Sequence, residues 1–288
     1  MGDWRVTKPR FGVVYLARKI DGLRHLPRFI ASLCKNPAGS NYDLIVILKG
    51  FSEGETPRGL AELKADGLIS VHIFMFDDSR FATEAFFTVA ERFDYEAFLF
   101  FVSSARVEAK GWARIVFSEL VDHKAMLVGA SAGFEQLDTS TPFPNPSIRT
   151  TGFAMRRDDW LALDRGDLSM RFGGNLFEAG PHSMTKQVMG GGGIVVVVGR
   201  NGCSYAPETW VESATFRLSR QENLLFSDKR TDQFELARSA KRRHLVAVNW
   251  GPNVPVVEIG TSIVYLRRVR EMARRFWWKT AGVWVKLS

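Results

Sequence analysis

The sequence predicts an α/β fold in which helices flank a mostly parallel sheet, and three patterns lead to this prediction. Short apolar runs alternate with helical segments over the first 130 residues. The runs are continuously apolar, as in LIVIL at Leu44–Leu48, which is typical of strands buried on both faces. The segment Ser79–Phe93 carries its apolar residues at helical spacing. Strands and helices that alternate in this way form right-handed βαβ units.

The predicted elements follow in chain order. The strands of the first part are Gly12–Leu16, Leu44–Leu48, Ile69–Phe76, Ala97–Val102 and Met126–Ala130. The helices are Asp21–Leu33, Pro57–Lys64, Ser79–Phe93 and Trp112–Val121. After residue 131 the pattern loosens, with strands at Ser147–Met155 and Ile194–Val198 and helices at Asp158–Leu163 and Phe177–Met189. Residues 211–232 are polar with scattered aromatics, a composition typical of a segment that wraps a site or packs as an irregular lid.

Composition sets limits on the class of protein. The 288 residues are 45% hydrophobic and 24% charged, as in a folded soluble chain, and no apolar run is long enough to cross a bilayer. Cys34 and Cys203 are expected to be reduced core thiols of a cytosolic protein. Of the net charge of +8, residues 262–288 carry seven cations against Glu271 alone. Because residues 1–261 are nearly neutral, the sequence predicts no nucleic-acid partner. The uneven charge also predicts a main domain, 1–261, and a basic tail, 262–288.

The carboxyl ends of the predicted strands point to the ligand-binding rim. Ligands bind parallel sheets beyond these ends. Positions at or just after these ends are expected on one rim: Ala17, Arg18, Lys49, Asp77, Asp78, Ser103, Ser104 and Arg106. The four-glycine segment Gly190–Gly193 is no phosphate loop, because it lacks the required spacing and precedes a strand.

Several strings resemble a bacterial group of GT-A, family-2-like glycosyltransferases of cell-surface polysaccharides. They are ILKGF (Ile47–Phe51), FVSSARVEAKGW (Phe101–Trp112), PFPNPSIRTTGFAMRRDDW (Pro142–Trp160), FEAGPHSMTKQ (Phe177–Gln187), VVGRNG (Val197–Gly202), WVESATFR (Trp210–Arg217) and NLLFSDKRTDQF (Asn223–Phe234). Their order and spacing are more specific for the fold than for the reaction. The resemblance implies a GT-A-like, Rossmann-type domain that transfers a sugar from a nucleotide-sugar donor to a glycan or lipid-linked acceptor, with inversion.

The resemblance also implies roles for individual residues. Glu178 would be the catalytic base, assisted by His182 four residues later on the same helical face. The rim residues given above would bind the donor. Thr151, Gly152, Trp210 and Arg217 would bind the acceptor. Structural alternatives stay open: Glu178 as a carboxylate favoured by a helix N-terminus, one of Asp77 and Asp78 as a helix cap, and Trp210 as a core residue.

One departure from the resemblance bears on mechanism. GT-A enzymes carry carboxylates for a divalent metal where this chain has Ser103, Ser104 and Ala105. Two outcomes are open. Either Arg106, Lys49 and Arg18 stabilise the leaving diphosphate with no metal or other cofactor, or the protein no longer catalyses and serves as a nucleotide- or sugar-binding scaffold. A nucleotidyltransferase is disfavoured, since it would need the same carboxylates.

The tail combines an apolar stripe with a basic face. The stripe is Ile263, Leu266, Val269, Ala273, Phe276 and Trp277. Three of the eight tryptophans fall in the last twelve residues. This pattern predicts an amphipathic helix on an anionic membrane surface, and hence a cytoplasmic protein that is peripheral at the inner face of the plasma membrane. A helix docked on the protein's own core or in a homo-oligomer interface is the alternative.

Overall fold

The computed structural model describes residues 11–258, apart from 23, 56, 58, 59, 61, 80, 169 and 170, together with 264–266, 269, 272 and 273. The strands in this part are β1 (Phe11–Arg18), β2 (Tyr42–Lys49), β3 (Leu68–Phe76), β4 (Ala97–Phe101), β5 (Arg106–Val107), β6 (Leu127–Gly129), β7 (Ala132–Gly133), β8 (Ser147–Ile148), β9 (Gly152–Arg156), β10 (Val195–Val198), β11 (Ser204–Tyr205) and β12 (Phe226–Ser227). The α-helices are α1 (His25–Lys35), α2 (Ala82–Arg92), α3 (Trp112–Val121), α4 (Arg157–Leu161), α5 (Arg171–Ala179), α6 (Met184–Gly190), α7 (Lys229–Glu235) and α8 (Ser239–Trp250).

Eight strands form one central sheet in the order β11-β10-β6-β9-β4-β1-β2-β3. Neighbouring strands run parallel from β4 through β1 and β2 to β3, and again between β10 and β6. Strand β9 lies antiparallel between β4 and β6, and β11 lies antiparallel at one edge. The predicted α/β fold with a mostly parallel sheet is therefore confirmed. The carboxyl ends of β1 and β4 lie side by side, and this places the site.

Each central strand is buried on both faces. Val13 and Tyr15 of β1 belong to the hydrophobic cluster on one face, while Val14 and Leu16 belong to the cluster on the other. In β4, Phe98 and Phe100 face the second cluster, because successive side chains of a strand point to opposite faces. Burial on both sides explains why these strands are continuously apolar in the sequence.

Three predicted elements differ from the structure. The predicted strand Ser147–Met155 is two strands, since β8 pairs with β7 and only β9 joins the central sheet. The predicted helix Phe177–Met189 is also divided: α5 ends at Ala179 and α6 begins at Met184, because Pro181 cannot continue a helix. The described residues of the predicted helix Pro57–Lys64 are not helical.

Residues 211–232 pack as a buried irregular segment. Ser213, Thr215 and Phe216 are fully buried, and Arg217 and Gln221 adopt positive φ angles. The segment ends in the first turn of α7, which the sequence analysis did not predict. The segment is therefore part of the packed interior.

The cysteines and the tail also bear on the sequence predictions. Cys34 and Cys203 are free thiols but are exposed, so their assignment to the core is wrong. No described helix has the length and apolar character to cross a bilayer. Most of the predicted tail helix lies outside the described residues. Where the tail is described, Leu266 and Val269 are helical and are 57% and 39% exposed.

Candidate active site

A cleft lies beyond the carboxyl ends of β1 and β4. Its volume is about 180 Å³, and its walls bring together Arg18, Ser103, Thr151, Glu178 and Asp228. Arg18 ends β1 and Ser103 follows β4. Thr151 precedes β9, Glu178 comes from α5 and Asp228 precedes α7. The first four were predicted as site residues from the sequence. The fold thus joins at one rim residues that are up to 210 positions apart in the chain.

Asp21 fixes the tip of β4. The Ser103 hydroxyl donates a hydrogen bond to Asp21 Oδ2 at 2.5 Å, and Arg18 Nη1 lies 3.9 Å from the same oxygen. The Tyr15 hydroxyl donates to the Ser103 carbonyl, and burial, followed by the negative charge of Asp21, raises the pKa of Tyr15. Tyr15 therefore remains a hydrogen-bond donor at physiological pH. Asp21 was not among the predicted residues, and nothing in its local sequence separates it from a surface acid.

Glu178 lies in the last turn of α5 and not at a helix start. The negative end of the helix dipole disfavours a carboxylate there, so the alternative of a dipole-stabilised N-terminal acid is wrong. Glu178 Oε2 accepts a hydrogen bond from Thr150 Oγ1 at 3.1 Å. The side chain faces the cleft because α5 packs with its C-terminal end over the Thr150–Thr151 turn. Its assignment as a base remains a prediction.

His182 does not share a helical face with Glu178. Helix α5 ends at Ala179, and His182 lies in the following turn, where it is exposed. Its backbone carbonyl accepts a hydrogen bond from Gln187 Nε2 at 2.8 Å. His182 does not line the cleft, so the structure gives no support to an assisting role for it.

A second, polar cavity of about 260 Å³ adjoins the cleft and shares Glu178, Arg149 and Arg230 with it. Arg149 is 5% exposed. Its Nη1 lies 3.3 Å from Glu135 Oε2, and its guanidinium lies over the Phe216 ring. The sequence analysis missed Arg149 because a single arginine after a short strand carries no distinguishing signal. Glu178 thus stands where the two cavities meet.

Arg217, a predicted acceptor contact, lies behind Arg149. Its guanidinium covers the Phe216 ring at 4.7 Å, and Nη1 is 3.7 Å from Glu135 Oε2. Burial, followed by the positive charge of Arg149, lowers the pKa of Arg217 to about 10, so the side chain is still a cation at neutral pH. Arg217 lines neither the cleft nor the second cavity. On the core side of Arg149, the Arg217 guanidinium therefore pairs with Glu135 and packs on Phe216.

Asp228 joins two walls of the cleft. Its Oδ1 caps α7 by accepting hydrogen bonds from the backbone amides of Arg230 and Thr231, at 2.8 and 3.0 Å. Its Oδ2 accepts from Thr151 Oγ1 at 2.9 Å. A signal for Asp228 was present in the sequence, since Asp-x-x-Thr is a helix-capping pattern. Thr151 consequently turns its hydroxyl to Asp228.

Three predicted donor-binding residues are engaged elsewhere. Lys49 is 2% exposed, and its Nζ donates to Asp78 Oδ1 at 2.8 Å and to the Asp78 carbonyl. Asp77 accepts a hydrogen bond from the Ser79 amide at 2.9 Å. Because α2 begins only at Ala82, this bond forms a local turn and does not cap the helix. Lys49 and Asp78 are therefore corrected to a structural ion pair that lines neither the cleft nor the cavities that adjoin it.

Two predicted acceptor-binding residues are core positions. Trp210 is fully buried, stacks on Phe134, and donates its indole N–H to the Tyr205 carbonyl, so it cannot stack on a sugar. Gly152 pairs with Phe101 in the sheet, and a Cβ there would lie 2.4 Å from Phe226. The glycine is required for side-chain packing against β12 and not for the approach of a sugar.

Ala17 and Arg106 lie beside the cleft. Ala17 is buried and lines a small crevice that shares Arg18 and Ser103 with the cleft. Arg106 lines a separate cavity of about 420 Å³, which shares Ser104 and Lys229 with the cleft. Its Nη2 donates to Asp232 Oδ1 at 2.5 Å.

The resemblance implies a divalent cation at the tip of β4, and the residues present do not fit one. Hard cations take carboxylate and other oxygen ligands. At this tip the Ser103 hydroxyl is committed to Asp21, Ala105 offers no ligand side chain, and Arg106 adds a positive charge. Among the residues that the structure describes, no three His, Cys, Asp or Glu side chains come together as a metal site. The residues at this tip therefore do not form a site for a divalent cation.

Comparison with known proteins identifies similar structures only. No protein-family model and no curated protein sequence matches the chain. A crystal structure of the galactosyltransferase LgtC in complex with donor and acceptor sugar analogues is 13% identical, with a TM-score of 0.44 over 62% of this chain and 70% of the other. An active-site mutant of LgtC is 15% identical, with a TM-score of 0.40 over 55% and 60%. These likenesses are too distant to assign a function. The function of this protein has to be argued from the cleft itself.

Proposed function

We propose that the protein is an inverting, metal-independent glycosyltransferase that moves a sugar from a nucleotide-sugar donor to a cell-surface glycan or lipid-linked acceptor. One observation carries the proposal. The Glu178 carboxylate stands at the junction of a strand-tip cleft and a polar cavity, with Arg18, Lys229 and Arg230 on the walls of that cleft. An inverting transferase needs this combination, since the anomeric carbon must lie between an anionic leaving group and an acceptor hydroxyl that a base can reach.

The chemistry divides between these groups. The acceptor hydroxyl attacks the anomeric carbon, the bond from that carbon to the diphosphate oxygen breaks, and Glu178 takes the hydroxyl proton. The cations on the cleft wall stabilise the negative charge that develops on the diphosphate. The Thr150 hydroxyl, 3.1 Å from Glu178 Oε2, orients the carboxylate. Attack from the side opposite the diphosphate gives inversion.

The test is nucleotide release from a panel of nucleotide sugars, each with a panel of glycan acceptors, with and without EDTA. Glu178→Gln should lower kcat by about 10²- to 10⁴-fold with little change in the donor KM, because a positioned base contributes that much. Glu212→Gln is the matched control, since Glu212 is exposed and lines none of the described cavities.

Three results would contradict the proposal. EDTA-sensitive turnover would rule out the metal-independent mechanism. Glu178→Gln activity within threefold of wild type would remove Glu178 as the base. Nucleotide-sugar binding without turnover across the panels would favour a non-catalytic scaffold at the membrane surface.

The tail is proposed to bring the domain to an anionic membrane, at the inner face of the plasma membrane. Seven cations against Glu271 support this, because each cation near an anionic leaflet contributes about 1 kcal/mol. In co-sedimentation with anionic liposomes, replacing Arg267, Arg268 and Arg270 by Gln in the full chain should sharply reduce the bound fraction. Equal binding by the variant and wild type would rule the proposal out.

A further inference from the structure

A cavity of about 420 Å³ beside the cleft is strongly basic. It lies between α1, β5, α7 and α8, on the far side of Ser104 from the cleft. Five cationic side chains line it, contributed by four separate elements: Arg24, Arg28, Arg106, Lys229 and Lys241. The cavity wall carries one carboxylate, that of Asp232.

Two of these cations are fixed in partly buried positions. The Arg28 and Arg106 side chains are 12% and 13% exposed. Asp232 holds both, with its Oδ1 2.5 Å from Arg106 Nη2 and its Oδ2 3.9 Å from Arg28 Nη2. Glu108 adds a second carboxylate behind Arg106, 3.7 Å from its Nε. Asp228 also acts on Arg106, and Asp21 on His25, so four carboxylates face five lining cations and a net positive charge remains around the hollow.

His25 responds to this surplus charge. It lines the same cavity, and its pKa is lowered to about 4 by burial, followed by the positive charges of Arg24 and Arg28. Asp21 acts in the opposite direction and Arg106 in the same direction, both more weakly. His25 is therefore neutral at physiological pH and offers a hydrogen-bonding wall without adding to the charge.

We propose that this cavity binds a phosphate or diphosphate group of a substrate, held next to the cleft across Ser104. The Arg28 and Arg106 guanidinium groups, fixed through Asp232, provide planar forks suited to phosphate oxygens. The exposed Arg24, Lys229 and Lys241 supply point charges around the mouth. The volume lies within the range of small-molecule sites.

The substrate assignment rests on the proposed function, but binding of the anion does not. Two substrates would carry the group: the nucleotide donor through its diphosphate, or an acceptor that bears a phosphate. The chemistry recognised is the same in both cases, and the experiment separates them.

Calorimetric titration of the full-length protein with inorganic pyrophosphate tests the site. The double variant Arg24→Gln, Lys241→Gln removes two rim charges that lie outside the cleft, and it should bind pyrophosphate about tenfold more weakly, with a smaller salt dependence. Lys35→Gln, Arg114→Gln is the matched control, because it removes the same two charges from exposed positions on α1 and α3. The control should bind within twofold of wild type.

NMR titration of His25 gives a second measurement, and an unfolded protein would not give the expected result. Bound pyrophosphate should raise the pKa of His25 from about 4 in wild type, since a nearby anion favours the imidazolium form. The increase should be much smaller in the double variant at the same pyrophosphate concentration. Failure of wild type to bind pyrophosphate, or equal binding by the double variant, overturns the proposal.

Inhibition of transfer by pyrophosphate identifies the source of the group. Competition with the donor that weakens about tenfold in the double variant assigns the cavity to the donor diphosphate, and competition with the acceptor that weakens in the same way assigns it to a phosphate-bearing acceptor. Competition with neither overturns the assignment to a substrate. Glu178→Gln should retain pyrophosphate binding, so failure of catalysis and failure of the anion site give different results.

Discussion

The ion pair between buried Lys49 and half-exposed Asp78 gives a prediction that separates a structural role from a donor-binding one. The two side chains differ sharply in exposure, 2% for Lys49 and 49% for Asp78. Lys49 Nζ has two acceptors, Asp78 Oδ1 at 2.8 Å and the Asp78 backbone carbonyl. Removing either partner therefore has unequal consequences, because only one of the two charges would be left without water.

The asymmetry can be given a magnitude. Asp78→Ala leaves the ammonium buried with the backbone carbonyl alone. Breaking a fully buried pair costs about 3–5 kcal/mol, and the remaining carbonyl and the exposure of Asp78 place the expected loss below that range, at about 2–3 kcal/mol. Lys49→Met removes the buried charge, keeps an apolar stem of similar length, and leaves a carboxylate that water can reach. Its expected cost is within about 1 kcal/mol.

Urea unfolding of the two single variants and the double variant measures these free energies, with wild type as reference. The double variant should resemble Lys49→Met, since the ammonium that Asp78 neutralises is then absent. Lys49→Met should also keep the donor KM within twofold of wild type. The reasoning is refuted if Asp78→Ala destabilises no more than Lys49→Met. A tenfold rise in donor KM for Lys49→Met would restore the donor contact that the sequence predicted.

Two further predictions concern the walls of the site. Asp228→Ala removes both the α7 cap and the acceptor of the Thr151 hydroxyl, so it should destabilise the fold by about 2–4 kcal/mol in urea unfolding. Thr151→Val loses only the second bond and should cost less, and the opposite order would contradict the geometry. His25 has a pKa of 6.5 in the unfolded chain and about 4 in the fold, where burial, followed by the positive charges of Arg24 and Arg28, disfavours its proton. Stability should therefore fall by roughly 1–2 kcal/mol as the pH drops from 6.5 to 4, allowing for partial exposure. His25→Asn should remove that part of the acid sensitivity, and an unchanged pH profile would refute the assignment.

The local pattern of the chain predicted the central sheet well. Strands buried on both faces carry apolar runs of at least five residues, as Leu44–Leu48 in β2 and Ala97–Phe101 in β4 do, and that signal is local. Helix α3 has the bounds that its apolar spacing predicts, Trp112–Val121. The prediction was wrong for Ser147–Met155. The extent of these short strands depends on pairing with strands elsewhere in the chain, and the local sequence does not show that pairing.

Side-chain roles at the site were harder to predict than elements. Strand ends located the rim and brought in Arg18 and Ser103, because parallel strands share a carboxyl edge, whereas Thr151 came from the family resemblance. The same rule placed Lys49 on that rim, but the structure turns its ammonium to Asp78. A strand end fixes the position of a Cα atom, and packing decides the direction of the side chain.

The sequence by itself determined the α/β fold, the edge of the sheet that bears the cleft, and a concentration of charge in residues 262–288. Only the tertiary structure decided that Glu178 closes a helix beside Thr150, that Trp210 is core, and that cations of α1 and α8 surround one hollow. The physical reason is range. Periodicity and propensity act over a few residues, whereas a cavity forms from side chains that meet only when distant elements pack.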